Sequence, residues 1–136
     1  MKTGHEIETD IYEFLKGSSL MAFVNGGLYR NGTRPRDSRL EDVVVIFTTA
    51  DGEQVQEGVV TLNVYVPDLI SNESNGVPME NISRTVAVER AVLDEVQSWK
   101  AGLSDYRFRL KEAVHTNRDP ETQQSFVVAR IGFQLF

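Results

Sequence analysis

One stretch of this sequence, residues 41–67, constrains the fold more than any other. Two runs rich in β-branched residues flank the dipeptide Asp51-Gly52, which suits the positive φ angles of a tight primed turn. The second run alternates, so its side chains fall on two faces of one strand. Val60, Leu62, Val64 and Val66 form one face, and Val59, Thr61, Asn63 and Tyr65 form the other. The pattern predicts a long β-hairpin with one face on a core and a half-polar face that meets a partner.

Composition limits the class of protein. With 136 residues, of which 40% are hydrophobic, the chain is long enough for one domain with its own core. A formal net charge of −6 argues against non-specific binding to nucleic acid, because phosphate contacts supply much of that affinity. The sequence has no cysteine, no apolar leader and no run of about 20 apolar residues. We therefore expect synthesis in the cytoplasm and no membrane partner.

Helical periodicity occurs in two segments. Residues 4–16 carry an apolar stripe opposite a row of acidic side chains, which suits the positive end of the helix dipole. Residues 18–24 extend this helix by a turn or form a short second one. The later segment has Ser83 as a candidate N-cap and is expected to run from Arg84 or Thr85 to Lys100. Its apolar stripe ends at Trp99, which we expect to lie over the core.

Strand patterns complete the fold prediction. Residues 28–30 form a brief strand, and residues 106–115 form a half-buried strand whose outer face is basic. After a turn at residues 117–121, the closing strand, residues 125–136, is apolar on both faces, as expected of a strand that is central in a sheet or covered by another chain. The sequence predicts a single α+β domain over residues 1–136. A mostly antiparallel sheet of about five strands packs against two main helices, in the order α-β-β-β-α-β-β.

The loop at residues 31–40, which we call the arginine loop, belongs to the only local basic cluster of an acidic chain. The cluster comprises Arg30, Arg34, Arg36 and Arg39. One interpretation is a guanidinium patch that meets an acidic neighbour or a phosphate, since binding residues concentrate on loops. The other is a solvated loop that pairs with its own acidic residues, and such exposed ion pairs contribute little.

A second loop, residues 68–82, has no periodicity and is long for a compact domain. It is either mobile or ordered by docking onto this domain or a neighbour. Docking is favoured because the loop carries five apolar side chains that a flexible linker seldom has. They are Leu69, Ile70, Val77, Met79 and Ile82.

No catalytic or cofactor pattern stands out. The chain lacks a Gly-x-Ser-x-Gly elbow, and Gly26-Gly27 lacks the Lys and Ser or Thr of a phosphate-binding loop. The two histidines, His5 and His115, are far apart in sequence. We therefore predict a protein that is not an enzyme and that binds no metal or cofactor.

Taken in order, the elements resemble those of a known protein family. The residues that carry the likeness are Ile7-Glu-Thr-Asp-Ile-Tyr-Glu-Phe14 leading into Gly27-Leu-Tyr29, then Arg34-Pro35, Asp42-Val-Val-Val45 and Leu62-Asn-Val-Tyr-Val66. The succession is similar to that of tail-completion and tail-terminator proteins of long-tailed bacteriophages and prophages. This resemblance implies a non-enzymatic homo-oligomeric ring, commonly hexameric, at the head-proximal end of the tail tube. Residues 68–82 have no counterpart in the pattern.

The resemblance also implies partners and a location. The partners are tail-tube and head-completion proteins, and the chain is made in the bacterial cytoplasm and becomes part of the virion tail. A ring contact needs two different complementary patches, and the arginine loop with the acidic first helix is one conceivable pair. The residues predicted for the interface are Arg30, Arg34, Arg36, Arg39, Val59, Thr61, Asn63, Tyr65, Phe133 and Phe136. The competing function is a small cytoplasmic module that binds a ligand or a peptide.

Overall fold

The computed structural model describes residues 1–52, 54–70, 75–99, 103 and 105–136. These residues form an α+β fold in two layers, with a mostly antiparallel six-stranded sheet carrying helices on one face. The elements are α1 Gly4–Leu15, α2 Ser19–Phe23, β1 Leu28–Arg30, β2 Val43–Asp51, β3 Gln56–Pro67, α3 Ile82–Ser98, β4 Tyr106–Leu110, β5 His115–Asp119 and β6 Gln124–Leu135. The predicted class is confirmed, whereas the predicted order lacks α2 and one of the last three strands.

The sheet is built around β3 and β6. Its order is β1-β2-β3-β6-β4, and β5 pairs with β6 on the same side as β4. β1 runs parallel to β2, and the other pairings are antiparallel. β3 and β6 pair along their whole lengths, from Gln56 opposite Leu135 to Pro67 opposite Gln124. The central position of β6 explains why its sequence is apolar on both faces.

The core lies between the helices and one face of the sheet, which we call the inner face. Val60, Leu62, Val64 and Val66 of β3 are at most 1% exposed, as predicted from their alternation. The helices contribute the stripes expected from the sequence, and Trp99 is 1% exposed. Its ring makes edge-to-face contacts with Phe14 and Phe108, with centroids 5.7 Å and 5.0 Å away. The prediction that Trp99 covers the core is confirmed.

The hairpin connection is longer than the predicted two-residue turn. β2 ends at Asp51 and β3 begins at Gln56, so the connection spans residues 52–55, of which residue 53 lies outside the described part of the chain. Gly52 has a φ of 111°, and a Cβ atom there would lie 2.1 Å from the carbonyl oxygen of Val55. Gly52 is therefore needed for the chain reversal, as expected, but the connection is longer than the predicted two-residue turn.

Two other boundaries differ from the predictions. α3 begins at Ile82, because the side chain of Asn81 accepts a hydrogen bond from the Arg84 amide at 3.2 Å and serves as the N-cap instead of Ser83. The predicted helix end at residues 100–102 lies outside the described residues. The strand predicted for residues 106–115 is shorter than expected, since β4 ends at Leu110, and His115 begins β5, which pairs with β6 at a different register. The predicted turn at residues 117–121 is shifted accordingly, since β5 continues to Asp119.

Tyr106 connects β4 to the first helix. Its hydroxyl donates to Asp10 Oδ2 at 2.6 Å, and Asp10 also pairs with the Lys2 ammonium. The side chain is buried, with its ring stacked on Phe108 at 5.3 Å between centroids. Burial raises the pKa of Tyr106 above its ordinary value, and the hydrogen bond to the Asp10 carboxylate raises it further.

The raised pKa makes part of the stability dependent on alkaline pH. Because the folded pKa of Tyr106 lies above the unfolded one, its contribution is complete below pH about 10 and is lost as the pH rises further. We expect Tyr106→Phe to lower the unfolding free energy by about 1.5 kcal/mol at pH 7, with a smaller difference from wild type above pH 10. Urea unfolding at pH 7 and 10.5 measures both values. An equal difference at the two pH values would contradict this assignment.

Candidate interaction surfaces

The second face of the sheet, which we call the outer face, has no helix over it among the described residues. Val44, Val59 and Val128 on this face are only 5%, 8% and 7% exposed, yet they are separate from the main core. Tyr65 and Phe126 beside them are half-buried and lie 5.6 Å apart between ring centroids. Side chains and loops, not a second layer, therefore cover this face.

The arginine loop covers one half of the outer face. The guanidinium of Arg34 lies 3.9 Å from the ring centroid of Tyr65, donates to Gln124 Oε1 at 2.8 Å, and donates through Nε to Asp42 Oδ2 at 2.9 Å. Arg39 donates to the carbonyl oxygen of Thr122 beyond the end of β5. These contacts fasten the loop across β3 and β6.

Most of the predicted arginine patch thus makes contacts within its own chain. Arg30 pairs with Glu8 of α1 at 2.8 Å and Arg34 with Asp42, so the acidic partner conceived for a neighbouring copy is found in the same chain. Arg36 alone of the four is exposed without a hydrogen bond or ion pair among the described residues. The pairing of Arg34 with Asp42 agrees with the alternative of a loop bound to its own acidic residues, although Asp42 is buried rather than solvated.

The other predicted interface residues have different environments. Thr61, Asn63 and Tyr65 are half-buried on the outer face. Phe133 is 3% exposed and packs against Tyr106 in the core, so it offers no surface to a partner. Phe136 is 60% exposed beneath the guanidinium of Arg107. Their role in an interface stays a prediction, apart from Phe133, which belongs to the core.

The uncovered half of the outer face contains a cavity of about 420 Å³ between walls of opposite charge. The basic wall consists of Arg107, Arg109 and Lys111, next to the edge of the sheet at β4. The acidic wall consists of Asp51 and Glu57 on β2 and β3. The basic face of the strand was predicted, but the acidic wall was not, because only the pairing register brings Asp51 and Glu57 into line with β4.

Neither wall is neutralised by ion pairs within the described residues. Seven of the chain's cations pair with carboxylates there, none of them in the two walls. Gln134, which lies between the walls, donates to Glu57 Oε1 at 2.7 Å. All five wall residues are exposed. The cavity therefore presents unlike charges to an approaching molecule.

A second surface, which we call the apolar end, lies where β3 ends and α3 begins. The backbones of Leu69 and Met79 form a two-way bridge with N–O distances of 2.7 Å and 2.9 Å, which closes the loop that follows β3. Six of the eleven large apolar side chains that are exposed in the described residues belong to this region, each more than half exposed. They are Leu69, Ile70, Val77, Met79, Ile82 and Val86.

The exposure of these side chains bears on the prediction that the loop at residues 68–82 is either mobile or docked. Its five apolar side chains face solvent, whereas Asp68 at its start is held to the domain by an ion pair with Arg118 of β5. Residues 71–74, which fall within the predicted loop, lie outside the described part of the chain. A patch of this kind, unlike isolated apolar residues, is typical of a surface that another protein covers.

The described residues contain no group of three or more His, Asp or Glu side chains arranged to hold a metal ion. Within the same residues, no helix combines the length and apolar character needed to cross a membrane. Comparisons with models of known protein families and with curated proteins find no match to this chain. The cavity between the charged walls and the apolar end are therefore the features that bear on function.

Proposed function

We propose that this chain is a non-enzymatic structural subunit of a phage or prophage tail, a terminator or completion protein that forms a ring at the head-proximal end of the tail tube. The apolar end is the observation that carries the proposal. Its six side chains are 51–64% exposed in the single chain, and association with another protein would remove their apolar surface from water. The proposed position at the head-proximal end of the tail tube is taken from the resemblance of the sequence to tail-completion and tail-terminator proteins.

The positions of the surfaces support this arrangement. The charged walls lie toward opposite edges of the sheet, at the end where β3 begins, and the apolar end lies where β3 finishes. Twelve residues at about 3.3 Å each separate the two ends of β3 by roughly 35–40 Å. In a ring whose axis runs along the strands, the sheet edges would face neighbouring copies, and an end of the strands would face a partner stacked along the axis. The apolar end therefore suits the tail tube or a head-completion protein.

The test of this assignment uses tail tubes from the phage or prophage that encodes the chain. We expect Ile82→Ser with Val86→Ser to reduce co-sedimentation with tubes at least tenfold, because each change removes an apolar side chain from the contact, worth about 1.5–3 kcal/mol when buried. Both positions are exposed, so the melting temperature should stay near that of wild type. Val55→Ser, at the opposite end of β3, is the matched control and should bind as wild type.

Light scattering over a concentration series, with negative-stain images, tests ring formation. A closed ring supports the proposal, whereas a strictly monomeric protein at high concentration, alone and with tubes, would overturn it. Normal tube binding by the Ile82→Ser, Val86→Ser variant would show that the apolar end does not contact the tube.

A second function, a small module that binds a ligand or a peptide, is favoured by the cavity on the outer face. Its charged walls and volume of about 420 Å³ suit a molecule that carries both charges, such as a short peptide. A monomer whose melting temperature rises on addition of mixed-charge peptides would favour this function over ring assembly.

A further inference from the structure

We propose that neighbouring copies of this chain contact each other through the charged walls, with the basic wall of one copy against the acidic wall of the next. This inference rests on the proposed function, since it names the surfaces that close the ring. It places the contact on strands β2, β3 and β4 and not on the arginine loop.

The strand register sets the unlike charges at one level across the sheet. Asp51 of β2 pairs with Glu57 of β3, Glu57 with Gln134 of β6, and Gln134 with Arg107 of β4. Strands lie about 4.8 Å apart, so the backbones of β2 and β4 are separated by roughly 14 Å. The walls are thus aligned but held apart, with one side of the row acidic and the other basic.

The space between the walls comes from a residue without a side chain. Gly132 of β6 lies on the outer face beside Arg109, and a Cβ atom there would be 2.9 Å from Cδ of Lys111. Val59 forms the neighbouring part of the floor. The cavity can therefore accept long side chains from another molecule, and the stems of Arg109 and Lys111 border it.

Charge selects a second copy as the occupant. Copies with a net charge of −6 repel each other unless unlike patches are aligned. A head-to-tail ring contact needs two different complementary patches on each subunit. The walls meet this need, because they have opposite sign, lie toward opposite edges of one face and contain no ion pair within the described residues.

A charge exchange between the walls tests the inference. The basic-wall variant is Arg107→Glu with Arg109→Glu, and the acidic-wall variant is Asp51→Lys with Glu57→Lys. We expect each variant alone to raise the dissociation constant between copies at least about tenfold, because like charges then face each other. An equimolar mixture should assemble as wild type does, because the reversed basic wall of one variant matches the reversed acidic wall of the other.

The matched control makes the same change of net charge as the basic-wall variant, but away from the walls. Arg36→Glu with Arg90→Glu replaces two exposed arginines, on the arginine loop and on α3, and should assemble like wild type. Circular dichroism and melting temperatures establish that every variant is folded, since all the changed wall residues are exposed. Light scattering and sedimentation equilibrium give the dissociation constants.

The outcomes separate this inference from the proposed function. If wild type assembles and either wall variant assembles equally well, or if the mixture fails to restore assembly, the wall contact is overturned while ring formation stands. If wild type remains monomeric alone and with tail tubes, both are overturned. Wild-type assembly that weakens between about 0.05 and 0.5 M salt, with rescue by mixing, supports the contact.

Discussion

Replacing Asp42 by alanine is expected to lower the unfolding free energy by about 3–5 kcal/mol, the cost of removing one partner from a buried ion pair. The Asp42 side chain is fully buried. One carboxylate oxygen accepts from the Gly27 amide at 2.9 Å, and the other accepts from Arg34 Nε at 2.9 Å and from the Ser38 hydroxyl. The alanine variant leaves the Arg34 guanidinium, whose side chain is 13% exposed, without its counter-charge.

The expected damage extends beyond the ion pair. Arg34 holds the arginine loop over Tyr65 and Gln124, so its release would uncover half of the outer face. The segment before β1 is equally constrained, because a Cβ atom on Gly26 would lie 2.4 Å from Asp42 Oδ1. The carboxylate therefore fixes two chain segments and the coverage of the sheet together.

Urea unfolding followed by circular dichroism measures the loss. Asp37→Ala is the matched control, since Asp37 belongs to the same loop, is exposed and makes no ion pair among the described residues. It should remain within about 0.5 kcal/mol of wild type. A loss below about 1 kcal/mol for Asp42→Ala would show that the buried pair contributes little to the fold.

Periodicity predicted the parts of this fold that pack against the core. The alternation of β3 and the helical stripe of α3 each identified buried residues, because one face of these elements is apolar and the other is not. The closing strand was apolar on both faces, which indicated a strand that is central in a sheet or covered by another chain. The first alternative describes β6, which is flanked by β3 on one side and by β4 and β5 on the other.

Sequence patterns did not predict contacts between segments that are distant in the chain. Arg34 and Arg36 belong to the same loop, yet Arg34 is held by Asp42, Tyr65 and Gln124, whereas Arg36 is exposed. The difference depends on where the loop crosses the sheet. The alignment of the cavity walls could not be predicted from local patterns either. Asp51 and Arg107 are 56 positions apart and become aligned only through the register of four strands.

The contacts of Glu95 were likewise not predicted from the sequence, and its substitution is expected to cause the second large loss of stability. It lies on the apolar side of α3 and is 5% exposed. One carboxylate oxygen accepts from the Leu20 amide at 3.0 Å and the Ser19 hydroxyl at 3.2 Å, and the other accepts from Trp99 Nε1 at 2.9 Å. This single side chain therefore connects α2 to α3 and orients the tryptophan in the core.

We expect Glu95→Ala to lower the unfolding free energy by about 2–4 kcal/mol, because buried N–H donors of Leu20 and Trp99 each lose their acceptor. Glu95→Gln should cost less, since its one oxygen can still accept from α2, although its NH₂ cannot accept from Trp99. The chain contains one tryptophan, so tryptophan emission reports on this site alone and should change in both variants, because each removes the acceptor of the indole N–H.

Asp94→Ala provides the matched control, because Asp94 precedes Glu95 on the same helix but its side chain is 63% exposed and 4.0 Å from its only ion-pair partner within the described residues, Arg90. Its stability should stay within about 0.5 kcal/mol of wild type, with unchanged emission. Equal losses for Asp94→Ala and Glu95→Ala would mean that removing any acidic residue weakens α3. A loss confined to Glu95→Ala would instead trace the effect to the carboxylate that joins α2, α3 and Trp99.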